Sequence, residues 1–208
     1  MPGQIAMSNP ADRTTRTYDA HAQTYAQINR STAPVQPMLD RFERHCPAGT
    51  VLDVGCGHGR DARYFAAHGC RVTGVDLSMG LLAIARQTAP DASFCQADMR
   101  RLPFSAGVFD GLWVCASLLH VPRADAPTAL GEFRRVLRPG GLLYVGVKAG
   151  TGEAWVRTQA YGGAERFFVY YRPEELAALV REAGFSIVEQ PEQDGWINIF
   201  AQKTERDV

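Results

Sequence analysis

Short apolar runs recur along the chain, separated by stretches whose apolar positions return at helical spacing, and glycine, proline or aspartate marks most of the changes. Residues 50–54, 71–76, 92–97, 108–116 and 142–148 read as strands, the first of them aliphatic and β-branched enough to be buried on both faces. Residues 60–68, 81–88 and 126–137 fall between them and read as helices. Ala62, Phe65 and Ala66 turn inward in the first, Ser78 is placed to N-cap the second, and Pro139, Gly140 and Gly141 stop the third. Strand and helix in this alternation predict βαβ units.

The two ends of the chain are less regular. Residues 1 to about 16 are polar, contain Pro2, Gly3 and Pro10, and are expected to be flexible. Residues 18–29 then set Tyr18, Ala22, Tyr25 and Ile28 or Asn29 near one face of a helix. Pro34 and Pro37 interrupt that pattern, and residues 35–46 read as a second helix that covers one face of the sheet. Beyond the fifth strand, residues 150–171 mix glycine with aromatic side chains. They form either an excursion beside a binding pocket or an edge strand with alternating burial, and the edge strand is the simpler expectation. Pro173, Glu174 and Glu175 open a last helix, Gly184 caps it, and residues 185–189 and 196–202 form a terminal hairpin.

The chemistry concentrates where the first strand ends. Gly55, Gly57 and Gly59 follow it at alternate positions, so the backbone can bend sharply and let a ligand approach its amides, while the following helix offers free N–H groups to an anion. This is not the dinucleotide fingerprint G-x-G-x-x-G, because Arg60 stands where the last glycine belongs. The stretch VLDVGCGHG instead resembles the first motif of class I S-adenosylmethionine (SAM)-dependent methyltransferases, of the small bacterial type with a methyltransferase domain of the 11 or 25 kind. The segment RPGGLLYVGV, residues 138–147, strengthens the resemblance, which extends over roughly residues 50–202.

The resemblance implies a doubly wound α/β, Rossmann-like three-layer sandwich with a seven-stranded, mostly parallel sheet and an antiparallel last strand. The strands read from the pattern agree in number. It also implies a division into residues 1–46, a flexible segment with lid helices, and residues 47–208, the methyltransferase domain.

For the cofactor, the resemblance assigns Asp53 to the ammonium group and Gly55, Cys56, Gly57 and Gly59 to the cradle. Asp76 lies 17 residues beyond Gly59, where a βαβ unit brings the end of the second strand beside the turn. There it is assigned the ribose hydroxyls, with Leu77 and Ser78 beside it. Asp98 is assigned the exocyclic amine of adenine, Met99 the ring, and Ala116 the region past the fourth strand. Tyr25 and Tyr18 either pack in a core or, as in similar methyltransferases, lie across the pocket as a lid, Tyr25 on the cofactor and Tyr18 on the acceptor. His120 follows the fourth strand in SLLHVP. It is the candidate catalytic residue, as a general base or as a hydrogen-bonded residue that orients the loop. Arg166 and Tyr170 join Tyr18 and His120 as candidate acceptor contacts.

Composition changes this picture little. Lys and Arg number 22, as do Asp and Glu, which argues against a broad nucleic-acid footprint. No apolar run approaches membrane-spanning length and no secretory leader is read, so a soluble cytoplasmic protein is expected, as monomer or homodimer. Cys46, Cys56, Cys70, Cys95 and Cys115 are odd in number and contain no C-x-x-C pair, which favours small buried thiols over disulfides or a metal site. The expected function is methyl transfer from SAM, yielding S-adenosylhomocysteine (SAH), to an oxygen, nitrogen or sulfur atom of a small molecule. The alternatives are a non-catalytic SAM-binding partner subunit and an NAD(P)-dependent oxidoreductase, against which Arg60 counts.

Overall fold

Successive strand residues point to opposite faces of a sheet, and here that period separates two cores. In the computed structural model, which describes residues 10–204, β1 (Thr50–Val54), β2 (Arg71–Asp76), β3 (Ser93–Gln96), β4 (Phe109–Cys115) and β5 (Leu137–Lys148) run parallel. With β8 (Phe185–Glu189) and β10 (Trp196–Lys203) they give the order β3-β2-β1-β4-β5-β10-β8. The strand β10 is antiparallel to both of its long neighbours. This is the doubly wound sheet that the sequence led us to expect, and its strand order reverses direction between β1 and β4. In open α/β sheets a crevice forms at such a reversal, past the carboxyl ends of the strands.

Val51, Trp113, Leu142 and Tyr144 face one side, where α3 (Gln36–His45) and α4 (Arg60–Ala67) cover them with Leu39, Phe42, Ala62 and Phe65. Trp113 stacks on Tyr144 with ring centroids 4.0 Å apart, and Phe42 and Phe65 meet Trp113 edge-on at 5.4 and 5.3 Å. Leu52, Leu112, Val114, Leu143 and Val145 face the other side, against α6 (Ala126–Val136) and α7 (Pro173–Glu182). The remaining helix of the sheet, α5 (Met79–Thr88), begins at Ser78, whose hydroxyl accepts from the Leu81 amide as the cap requires.

Several expectations are corrected. A helix, α1 (Pro10–Ala20), begins inside the segment expected to be flexible and takes up its described part, and residues 1–9 lie outside the described residues. A break at His21 separates α1 from α2 (Ala22–Ile28), so the tyrosine face is carried by two helices. Residues 150–171 do not extend the main sheet. They fold back as β6 (Glu153–Thr158) and β7 (Ala164–Val169), a separate antiparallel pair. Phe167, Phe168 and Val169 are buried in succession because β7 packs against both α1 and the turn that follows β4. Finally, β5 begins at Leu137, since the backbone stays extended through the Pro-Gly-Gly stop and only shifts register there. The polar loop before β10 also contributes β9 (Glu192–Gln193), an eighth, two-residue strand paired with β10. No helix among the described residues is long and apolar enough to cross a membrane.

Phe42 is fully buried against two other aromatic rings, so α3 belongs to the core of the sheet. Phe42→Ala should lower stability by about 3–5 kcal/mol in denaturant unfolding. A loss below about 1 kcal/mol would show that α3 is a detachable part of the lid.

Candidate functional site

The end of β1 is held to β2 through the backbone. The amides of Gly55 and Cys56 both donate to the Val75 carbonyl, at 2.7 and 3.0 Å. Gly55 sits at φ +71°, and a Cβ there would lie 2.2 Å from that of Ser117, so only glycine lets the loop after β4 come so near. Gly57, at φ +54°, donates its amide to Asp76 Oδ2 at 2.9 Å. A Cβ on Gly57 would point toward the Tyr25 ring, 3.4 Å away, and would fill the gap between turn and lid.

Asp76 Oδ1 accepts from the Ser78 amide at 2.9 Å. Burial raises the pKa of this carboxyl, against the pull of those amides. The Ser78 hydroxyl donates to Asp19 Oδ1 at 2.6 Å, and the same oxygen accepts from the Gly80 amide at 2.9 Å, which fastens α1 to the start of α5.

These elements enclose a cleft past the ends of β1, β2 and β4. Tyr18 and Tyr25 roof it. Gly55, Gly57, Asp76, Leu77, Asp98, Met99, Ala116 and His120 line it, together with Thr14, Thr15, Arg100 and Ser117. A second chamber lies behind Tyr25 and shares Gly55 and Ala116 with the first. Asp53, Cys56, His58, Arg60 and Asp61 belong to it. Ala116 stands at φ +53°, a strained backbone for a residue with a side chain, at the point where the two chambers meet.

Asp53 is buried in the second chamber with Oδ2 unpartnered. Burial, and then the charge of Asp61, push its carboxyl well above the usual range. His58 Nε2 is also buried without a partner, and burial followed by the Arg60 charge brings that imidazole down to about 4. Asp61 is better satisfied, accepting from the Trp113 indole at 2.9 Å and from Arg60 Nε at 2.6 Å.

On the far side of the cleft Asp98 is held by Arg100, whose Nη2 donates to Oδ2 at 2.6 Å and whose Nε donates to Oδ1 at 3.0 Å. Burial opposes the charge on Asp98, but these bonds outweigh it and lower the pKa. Arg100 also reaches Asp125 at 2.6 Å.

His120 ends a single 3₁₀ turn, and both of its ring nitrogens are engaged. Nδ1 lies 2.6 Å from the Phe167 carbonyl, which can only accept, so Nδ1 carries the proton. Nε2 therefore accepts from the Tyr18 hydroxyl at 2.8 Å, and Arg166 Nη1 donates to that hydroxyl at 2.9 Å. Burial lowers the imidazole to about 4 and raises the Tyr18 phenol to about 12. The chain of donors ties α1, the turn after β4 and β7 into one unit.

Four of the expected site residues stand outside the lining of either chamber. A Cβ on Gly59 would lie 3.0 Å from the Ala85 backbone, so this glycine serves the packing of α4 on α5. Ser78 caps α5. Arg166 lies behind Tyr18, and Tyr170 stacks near Phe168 with its carbonyl accepting from Arg123. Sequence reasoning missed Thr14 and Thr15, because a polar segment carrying Pro10 reads as loose chain, and Asp19, because a lone carboxylate on a helix carries no sign of its distant partners Ser78 and Gly80. It missed Ser117 and Arg100 because a hydroxyl or guanidinium in a loop has no periodic signal.

The sequence model described as a methyltransferase domain matches residues 51–141. A malonyl-[acyl-carrier protein] O-methyltransferase of Enterobacter lignolyticus (strain SCF1) is 37% identical over 127 residues, 59% of this chain and 47% of that protein. The corresponding Serratia marcescens protein is 33% identical over 156 residues, 72% of this chain and 57% of its own. The chain thus spans about half the length of the curated relatives it matches. Among solved structures, Burkholderia thailandensis 1,6-didemethyltoxoflavin-N1-methyltransferase, with bound 1,6-didemethyltoxoflavin and S-adenosylhomocysteine, superposes with a TM-score of 0.76. It is 25% identical, and the match covers 98% of this chain and 94% of that one. The comparisons favour neither the oxidoreductase nor the non-catalytic alternative. Motifs, strand order and these likenesses agree: residues 51–141 carry the methyltransferase-domain sequence, and the chain has the fold of the class I S-adenosylmethionine-dependent methyltransferases.

Proposed function

We propose that the protein transfers the methyl group of SAM to an oxygen, nitrogen or sulfur nucleophile of a small molecule. The observation that carries this reading is the convergence of Gly55, Gly57, Asp76, Asp98, Met99 and Ala116 in one cleft beneath Tyr18 and Tyr25. The empty wedge between Gly57 and the Tyr25 ring, which any side chain would fill, fits a ligand that passes between turn and lid. The unpartnered oxygen of Asp53 fits an ammonium group in the adjoining chamber.

In this reading Asp76 takes the ribose hydroxyls with the lone pairs that Gly57 and Ser78 leave free. Asp98 accepts from the adenine amine and keeps Arg100 as its counter-ion, while Met99 packs on the ring. Asp53 receives the ammonium end, and Tyr25 separates the two ends of the cofactor. When bound, SAM supplies a methyl group on a cationic sulfur that is already a good leaving group. The protein therefore contributes chiefly alignment and exclusion of water, which α1, α2 and the β6–β7 pair provide from above. We assign His120 to positioning, because its basic nitrogen is occupied by Tyr18. The enclosed roof supports a small acceptor.

SAH should bind the purified protein at micromolar or tighter affinity in calorimetry, NADH should not, and Asp76→Ala should weaken SAH by at least about tenfold through loss of a charged acceptor. Unchanged affinity in the variant would remove the ribose assignment, and no binding to the wild type would remove the cofactor reading. Nitrogen NMR of His120 should report a neutral ring protonated at Nδ1 from pH 8 down to about 5, since its pKa lies near 4. The unfolded imidazole takes up its proton near pH 6.5. Stability should therefore decline as pH falls from about 6.5 to 4, with a shallower decline in His120→Gln. An imidazole that titrates near 6.5 in the folded protein would restore it as a general base.

A further inference from the structure

Among the described residues four line both chambers, and they mark the passage between them: Tyr25, Gly55, Cys115 and Ala116. Asp76 and Asp98 stand on one side of this passage and Asp53 on the other, so whatever joins the two ends of a ligand that spans both chambers runs through it. Gly55 and Ala116 bring no polar side chain there, and burial raises the Cys115 thiol, which stays protonated. Tyr25 is the one electron-rich side chain at the junction.

Tyr25 is also unspent. Its hydroxyl makes no hydrogen bond among the described residues, and burial holds the phenol neutral. Arg166 sets its guanidinium carbon 5.4 Å from the centroid of the Tyr18 ring, but no arginine or lysine stands over the Tyr25 ring among the described residues. Arg60 lines the second chamber, yet its Nε and Nη2 are given to Asp61, at 2.6 and 3.0 Å. The Tyr25 ring is fixed in place, because Tyr18 and His58 meet it at 87° and 77° with centroids 5.2 and 5.6 Å away. A fixed, neutral ring with free oxygen lone pairs attracts a cation and gains little from a neutral sulfur.

We propose that Tyr25 reads the charge on the cofactor, its ring and phenol oxygen binding the sulfonium of SAM and giving the protein a preference for SAM over SAH. This deepens the methyl-transfer reading and rests on it. In SAM the sulfur that links the adenosine and amino-acid ends is positive; in SAH the electron pair of the broken carbon–sulfur bond has made it a neutral thioether. The groups assigned to Asp53, Asp76 and Asp98 are present in both molecules, so those contacts do not separate the two. Tyr25 meets the atom that differs. Its preference favours exchange of the spent cofactor for a fresh one.

The test is calorimetric titration of SAM, SAH and sinefungin, in which a carbon bearing an amine replaces the charged sulfur. Wild type should bind SAM and sinefungin at least about fivefold tighter than SAH, the scale of a cation held on an aromatic ring out of water. Tyr25→Phe should retain most of that preference, while Tyr25→trifluorophenylalanine, similar in size but with the negative ring face drained, should lose it. Tyr25→Leu should bring the three ligands within about twofold of one another. SAH should still bind Tyr25→Leu, which shows an intact cleft; if it does not, the phenylalanine and trifluorophenylalanine variants decide. Equal binding of SAM and SAH by wild type, a preference that survives in Tyr25→Leu, or one that is equal in the phenylalanine and trifluorophenylalanine variants would overturn the proposal. Failure of both SAM and SAH to bind wild type would instead refute the cofactor reading, so the two failures are distinct.

Discussion

The amide of Gly57 pointing at Asp76 is the contact on which the cleft depends. It joins the turn that leaves β1 to the last residue of β2, and Ser78 answers from the start of α5. With both carboxylate oxygens held by backbone, the turn keeps its shape whether or not anything lies above it. Binding is then spared the entropy of ordering a loop, which is the usual tax on affinity at flexible sites. The same arrangement explains why burial of Asp76 is tolerable, since each oxygen has a donor that water would otherwise supply.

The roof is organised differently, through side chains. Asp19 grips the start of α5, Thr14 accepts from the Phe167 amide, and Thr17 donates to the Glu165 carbonyl. Tyr18 and His120 complete the connection. Each of these bonds contributes only about 1 kcal/mol, so α1 can be held as a set and released piecemeal. The floor is built from strand ends in the middle of the sheet, while the roof is an assembly of helix and hairpin laid over it.

That difference also decides what could be read from the sequence. Strands β1 and β2 were legible to the residue because aliphatic runs ended in glycine or aspartate, and Ser78 was legible as a cap. Asp53, Asp76, Asp98 and His120 were singled out where motif and strand end coincide, and each lines one of the two chambers. The beginning of α1 was not legible, since a helix whose stability comes from Thr14, Thr17 and Asp19 bonding to distant elements carries little local signal. Nor was the β6–β7 pair, whose alternation suits an edge strand equally well; its separation follows from α1 covering β7, a long-range fact. The pairing of Asp98 with Arg100 was not legible, because sequence proximity does not reveal side-chain direction.

Gly55 and Ser117 touch so closely that neither position has room for a larger group. Positions 14, 15 and 18, by contrast, face the cleft from a separate helix, and the hairpin behind them is outside the main sheet. The molecule is therefore modular in a way that the shared cleft conceals. Floor positions are locked by backbone contact, while roof positions are tied by side-chain hydrogen bonds and would be exchanged together with their partners on β7 and at His120. A chemist seeking a different acceptor specificity from this scaffold would leave the glycines alone and build the library on α1 and β6–β7.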